Sequence, residues 1–226
     1  MSTSTKRTIK KQQILDAAEK VFATHGFANS KMEKVAKGAG ISKGTVYFYY
    51  DTKENLYMAL TYRAIQFLID RFYQVLDEHR SLSGIEGSLA LVESYLQFCE
   101  KNPLYADLML DYMTVNRTTK DGMDTTKLTA ALQDSIYYRK IQDIQNIPIS
   151  LITQEIKRGV DDGSILNKQQ PELLYLLAWS STIGFVKLNS AAGKRQSLLN
   201  VEVDVWRQQL LAQMRQMLLL KSFELV

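Results

Sequence analysis

The 226 residues, 46% hydrophobic and 23% charged, can bury a substantial core and leave room for a small domain beside a larger one. One cysteine, Cys99, excludes an intrachain disulfide and a cysteine-based zinc finger and fits a reducing compartment. The net charge of +4 is unevenly placed: residues 1–55 hold ten Lys and Arg against five Asp and Glu, and the remainder is close to neutral, so either a polyanion partner or a solvated lysine-rich tail accounts for the basic excess.

Residues 1–11 are polar and basic, unlike a secretory signal, and no apolar run approaches the roughly 18 residues of a membrane span, so the expectation is a cytoplasmic chain with no membrane partner. Strand signals are nearly absent. A first helix is expected over 8–25, where Ile14, Ala17, Ala18, Val21 and Phe22 recur at helical spacing, with Gly26 as its stop. Ser30-Lys31-Met32-Glu33 reads as a capping box opening a short second helix over 31–38, with Met32, Val35 and Ala36 inward. Gly40 breaks it, and Ser42 caps a third helix over 43–49. Asp51 or Thr52 caps a long fourth helix reaching about residue 79.

Five further helices are expected near 85–101, 103–115, 126–160, 170–190 and 201–220. Pro103 and Pro171 stand at first-turn positions, and Pro148 predicts a kink or break near Asn146. The polar stretches 116–125 and 191–197 read as loops.

Two short helices separated by Gly40-Ile41 have the spacing of a helix-turn-helix, whose second helix enters the major groove. Lys43 can reach a guanine edge or a phosphate, Gly44 permits close approach, and Thr45 offers a hydroxyl and a methyl. Tyr47, Phe48, Tyr49 and Tyr50 cannot all face inward around so short a helix, and exposed tyrosine hydroxyls donate well to phosphate. The competing reading is a small aromatic core with a solvated Lys43.

The run Gly26-Phe27-Ala28-Asn29-Ser30, Val35-Ala36, Ala39-Gly40-Ile41-Ser42-Lys43-Gly44-Thr45-Val46-Tyr47, then Tyr50 and Lys53-Glu54-Asn55-Leu56 closely resembles the tetracycline-repressor (TetR/AcrR) family over about residues 8–60. Ile41, Val46 and Tyr50 are mild departures from the usual Val, Leu and Phe. The resemblance implies an all-α fold of about nine helices, with a three-helix helix-turn-helix DNA-binding domain (1–55) joined through a long fourth helix to a helical effector-binding and dimerisation domain (56–226). It implies that Ser30 and Lys31 open the second helix against the DNA backbone. Ser42, Lys43, Gly44 and Thr45 would face bases or phosphates, Tyr47 and Tyr49 would grip phosphates with Phe48 on the sugar-phosphate edge, and Lys53 would hold a phosphate. Val35, Ala36, Ile41, Val46, Tyr50 and Leu56 are assigned to the core.

The remainder carries no motif of comparable strength. The last two helices offer Leu173, Leu177, Phe185, Val205, Leu210, Met214 and Met217 to a two-fold homodimer interface or to the core of one subunit. Tyr95, Phe98, Cys99, Leu108, Met109, Tyr112, Tyr138, Trp179 and Ile183 line an apolar effector pocket or are plain core. A cavity of several hundred cubic ångströms favours a ligand-responsive regulator. A collapsed interior favours an architectural DNA-binding protein acting through protein partners. No catalytic constellation, metal cluster or phosphate loop is visible: His25 and His79 lack partners at ligand spacing, and Asp161-Asp162-Gly163 reads as a turn. The expectation is therefore a transcription regulator, with double-stranded DNA, itself and a small apolar effector as partners, without cofactor, metal or enzymatic activity.

Overall fold

The computed structural model describes residues 3–115, 117–119, 122–124, 129–192 and 197–221. Among them are eleven helices: α1 (Thr3–Asn29), α2 (Met32–Gly38), α3 (Lys43–Tyr49), α4 (Lys53–Glu78), α5 (Gly84–Lys101), α6 (Pro103–Val115), α7 (Ala130–Gln133), α8 (Ile136–Ile144), α9 (Ile147–Asp161), α10 (Pro171–Ala192) and α11 (Val203–Leu219). Two antiparallel ribbons complete the inventory, β1 (Arg117–Thr119) with β2 (Gly122–Asp124), and β3 (Ser197–Leu198) with β4 (Val201–Glu202).

The all-α expectation holds, with local differences. Residues 3–7 extend α1, and Gly26, at φ 69° and ψ 168°, interrupts its helical backbone before a last turn to Asn29. The single segment expected over 126–160 is three helices. Asn146 stands at the N-cap position of α9, without a side-chain bond, and Pro148 lies in its first turn, where a missing amide costs no hydrogen bond; of the kink or break expected there, the chain makes the break. The expected loop 116–125 contains the β1–β2 ribbon, paired Arg117 with Asp124 and Thr119 with Gly122; positions 116, 120–121 and 125 lie outside the described residues. In the expected loop 191–197, Ala192 ends α10 and Ser197 starts β3, while 193–196 lie outside the described residues.

The chain forms two compact units, each assembled from separate stretches: Met1–Gln66 with Asn102–Ile144, and Phe67–Lys101 with Gln145–Val226. In the first unit, Ile14, Ala18 and Phe22 of α1 close on Val35, Val46, Tyr50 and Leu56, all at most 2% exposed. Tyr57 sits between Phe22 and Phe27, with ring centroids 5.8 and 4.6 Å away. In the second unit α5 crosses α9 on small residues: a Cβ on Gly84 would stand 2.1 Å from the Gly159 backbone nitrogen. The same crossing is clasped at its end. The Gly84 amide donates to Asp162 Oδ2 at 2.8 Å, the Ile85 amide to Ser164 Oγ at 3.1 Å, and Arg158 Nη1 to the Leu82 carbonyl at 2.8 Å.

Candidate nucleic-acid interface

The turn between α2 and α3 is built by one left-handed residue. Gly40 has φ 62°, which lets its amide donate to the Lys37 carbonyl at 3.2 Å and the Ile41 amide reach back to Ala36 at 3.1 Å. These two bonds absorb the free carbonyls at the end of α2 and aim the chain into α3. Ser42 caps α3, accepting from the Thr45 amide at 3.1 Å, with the two hydroxyls 2.8 Å apart.

With the helix so fixed, its side chains divide. Val46 and Tyr50 turn inward. The Tyr50 hydroxyl donates to the Lys11 carbonyl at 3.5 Å and its ring stacks on Tyr137 at 5.9 Å; burial pushes the phenol well above its usual range, so it stays a proton donor. Ser42, Lys43, Gly44, Tyr47 and Phe48 are exposed, and Thr45 and Tyr49 are half-buried. Phe48, at 73%, is among the most exposed large apolar side chains. Its ring stands perpendicular to Tyr49 at 5.3 Å. Such a strip, one cation with a hydroxyl and three aromatics in seven residues, suits a groove lined by phosphates and base edges better than it suits water. Of the residues assigned to the core, Val35, Ala36, Val46, Tyr50 and Leu56 are buried and Ile41 is half-buried.

One expectation about the flanks does not hold, and two flanking residues are engaged within the protein. The Ser30 capping box does not form: Lys31 is the N-cap of α2 and makes no side-chain cap bond. Ser30 is 3% exposed, and its hydroxyl donates to the Gly26 carbonyl at 2.6 Å and to Val21 at 3.3 Å. Lys53 is likewise occupied, donating to the carbonyls of Phe27 at 2.9 Å, Ser30 at 3.2 Å and Ala28 at 3.4 Å, with the ammonium 4.3 Å from the Phe27 ring centre. The cause is Gly26. Its non-helical backbone strands the last carbonyls of α1, and the nearest donors take them up. The strip that remains is Lys31 with residues 42–49. The cap of α4, open between two residues in the sequence, is Thr52, which accepts the Asn55 amide at 2.9 Å.

Two sets of residues escaped the sequence reading. Arg63, 6% exposed on α4, donates to Asp16 at 2.6 Å and pairs with Glu19, while the Tyr105 hydroxyl of α6 donates to the same Glu19 at 2.7 Å. Nothing short of tertiary structure brings these three helices together; an arginine inside an otherwise apolar stretch of α4 was the only available hint. The other is Glu33, the partner of Lys43.

The residues proposed for a pocket fall in both compact units. Leu108, Met109, Tyr112 and Tyr138 belong to the first unit, where Tyr112 and Tyr138 meet at 5.8 Å; Tyr95, Phe98, Cys99, Trp179 and Ile183 belong to the second. There Tyr95 and Trp179, with Val92, Ile152, Tyr175, Ala178 and Thr182, line an apolar cavity of about 20 Å³. That is room for one water, because Tyr95 and Tyr175 both lie on Trp179, at 5.0 and 5.9 Å. The proposed dimer residues divide similarly. Phe185, Leu210 and Met214 are buried within the subunit and Met217 half-buried, whereas Leu173, Leu177 and Val205 are 43%, 45% and 51% exposed. Leu176 and Leu188, at 57% and 52%, extend that open apolar face of α10.

Among the described residues no three His, Cys, Asp or Glu side chains are placed to hold a metal, and no helix is long and apolar enough to cross a membrane. The arrangement thus defines a helix-turn-helix protein with an exposed second helix.

Known proteins narrow the class. Residues 14–60 match the profile described as bacterial regulatory proteins, tetR family. The chain is 22% identical over 196 residues to the HTH-type transcriptional repressor AcnR of Corynebacterium glutamicum, covering 87% of this chain and 90% of that protein. It is 32% identical over 97 residues to a fatty acid metabolism regulator protein of Bacillus subtilis, covering 37% of this chain and 50% of that one. The solved structure of the transcriptional regulator FadR from Bacillus subtilis in complex with stearoyl-CoA superposes with a TM-score of 0.65 at 17% identity, over 94% of this chain and 99% of that one. Residues 14–60 thus match the tetR-family DNA-binding segment, and over most of its length the chain is similar to transcriptional regulators of that family.

Proposed function

We propose that this protein is a homodimeric repressor that holds an operator through α3 and releases it when a small, largely apolar effector binds. The observation that carries the DNA reading is the outward strip of α3: Lys43, Tyr47 and Phe48 stand exposed on a helix whose orientation is locked by the Gly40 turn, the Ser42 cap and buried Tyr50. The basic excess of residues 1–55 supplies attraction to phosphate. The open face of α10 around Leu173, Leu176, Leu177 and Leu188 supports self-association, since a lone subunit gains nothing by presenting it to water. Two copies would present two reading helices to half-sites one helical turn apart.

For the effector, the support is the apolar lining at Tyr95, Tyr175 and Trp179 and the fatty-acid and acyl-CoA connection of two similar proteins. At about 20 Å³ the cavity must widen to admit such a molecule, and since four of its seven lining residues lie on α10, binding would be coupled to the packing of that helix. The test is to select duplexes from a randomised pool and titrate the complex with fatty acids and acyl thioesters of increasing chain length. The expected result is release of the selected duplex together with a change in tryptophan fluorescence. Retention of the duplex by a protein that demonstrably binds the added molecule contradicts the induction reading.

A further inference from the structure

Glu33 is the one acidic residue between Glu19 and Asp51, a stretch otherwise basic or neutral. It stands in the first turn of α2 and forms an ion pair with Lys43, the single cation of α3. The pair bridges the two helices on their solvent side, with side chains 55% and 51% exposed. The Lys43 ammonium holds the Glu33 carboxyl below its usual range, so the acid is charged at neutral pH. A carboxylate on a face meant for a polyanion opposes binding, even though in the first turn of α2 it also accepts from its own backbone amide.

We propose that Glu33 sets specificity: it occupies Lys43 so that random phosphates cannot recruit that cation, and yields it only to the acceptors of the correct site. Non-specific affinity grows with each cation free to neutralise phosphate and displace counterions. A Lys43 already neutralised by Glu33 adds nothing to that sum. Since both partners face water, the pair is weak enough to be opened by a well-placed base edge or phosphate. Lys43 also lies 5.7 Å from the centre of the Tyr47 ring, so it remains over the strip when the carboxylate lets go. This inference rests on the DNA-binding reading above.

The test compares wild type, Glu33→Gln, Lys43→Gln and the double variant on two labelled duplexes, one of random sequence and one selected by the wild type from a randomised pool. Glu33→Gln is expected to tighten random-duplex binding by about threefold or more at about 50 mM salt and to steepen the salt slope by about one. The selected duplex should gain less, so the specificity ratio falls. In the Lys43→Gln background the effect of Glu33→Gln should vanish. Equal random-duplex affinity and slope for wild type and Glu33→Gln, or a gain that persists without Lys43, overturns the proposal. A wild type that binds neither duplex instead overturns the DNA-binding reading itself. Because both residues are exposed, thermal melts of all four proteins should coincide closely, which separates binding effects from folding.

Discussion

Lys53 shows how one side chain can be recruited by the fold. Its ammonium takes up three carbonyls at and just beyond the end of α1 and lies over the Phe27 ring. Replacing it with Met keeps the stem and removes the donor. The expected loss is about 1–2 kcal/mol, seen as a fall of a few degrees in Tm. The salt slope of duplex binding should be unchanged, because the cation serves a helix end and not a phosphate; a slope shallower by about one with an unchanged Tm would reverse that assignment. Ser30→Ala should likewise lower Tm by a similar amount, since its hydroxyl fills the Gly26 carbonyl. The sequence carried the positions of Ser30 and Lys53 but not their partners. A Ser followed three residues later by Glu has the spacing of a capping box whether or not the preceding backbone, here turned by Gly26, offers the hydroxyl a better acceptor.

At the level of elements, the crossing of α5 and α9 is the most exacting contact. A Cβ on Gly84 meets Gly159 backbone, and one on Gly87 meets the Glu155 carboxylate at 1.9 Å. Gly84→Ala should cost about 1–3 kcal/mol and lower Tm by several degrees, because backbone, unlike a side-chain tip, has nowhere to move. Asp162 clasps the same crossing. Hydrogen bonds from Ser164 and the Gly84 amide hold its carboxyl below the usual range, so its contribution is complete above the ordinary carboxylate pKa of about 3.9 and is lost as pH falls through that value toward the lower folded one. Denaturant titrations at about pH 6 and about pH 3 should show a smaller pH-dependent drop for Asp162→Asn than for wild type; an identical drop would remove Asp162 from the acid response. Helices were legible where apolar spacing and punctuation agreed, as in α2, α3, α5 and α6. The segment from 126 to 160 was legible only in part: Pro148 marks the interruption before α9, but no proline or glycine marks the stop between α7 and α8.

At the scale of the whole molecule, the two compact units are each built from separate stretches of chain, so a linear reading could find the helix-turn-helix but could not foresee which later helices join it. Tyr137 against Tyr50, and Ser135 donating to Asn55 at 2.7 Å, are contacts of that kind. The pocket residues illustrate the same limit: an aromatic stripe marks burial but not which stripe it meets. Leu176→Glu, on the open face of α10, should give a folded protein that sediments as a monomer and binds duplex DNA more weakly, through loss of the second reading helix. The most direct measurement is the affinity of the intact protein for a labelled duplex across a salt series, with Tyr47→Ala alongside. The account predicts saturable binding at about 50 mM salt that weakens steeply as salt rises and is reduced throughout by the substitution. Absence of saturable binding by the wild type at that salt, or a Tyr47→Ala protein that matches it at every point, would contradict it.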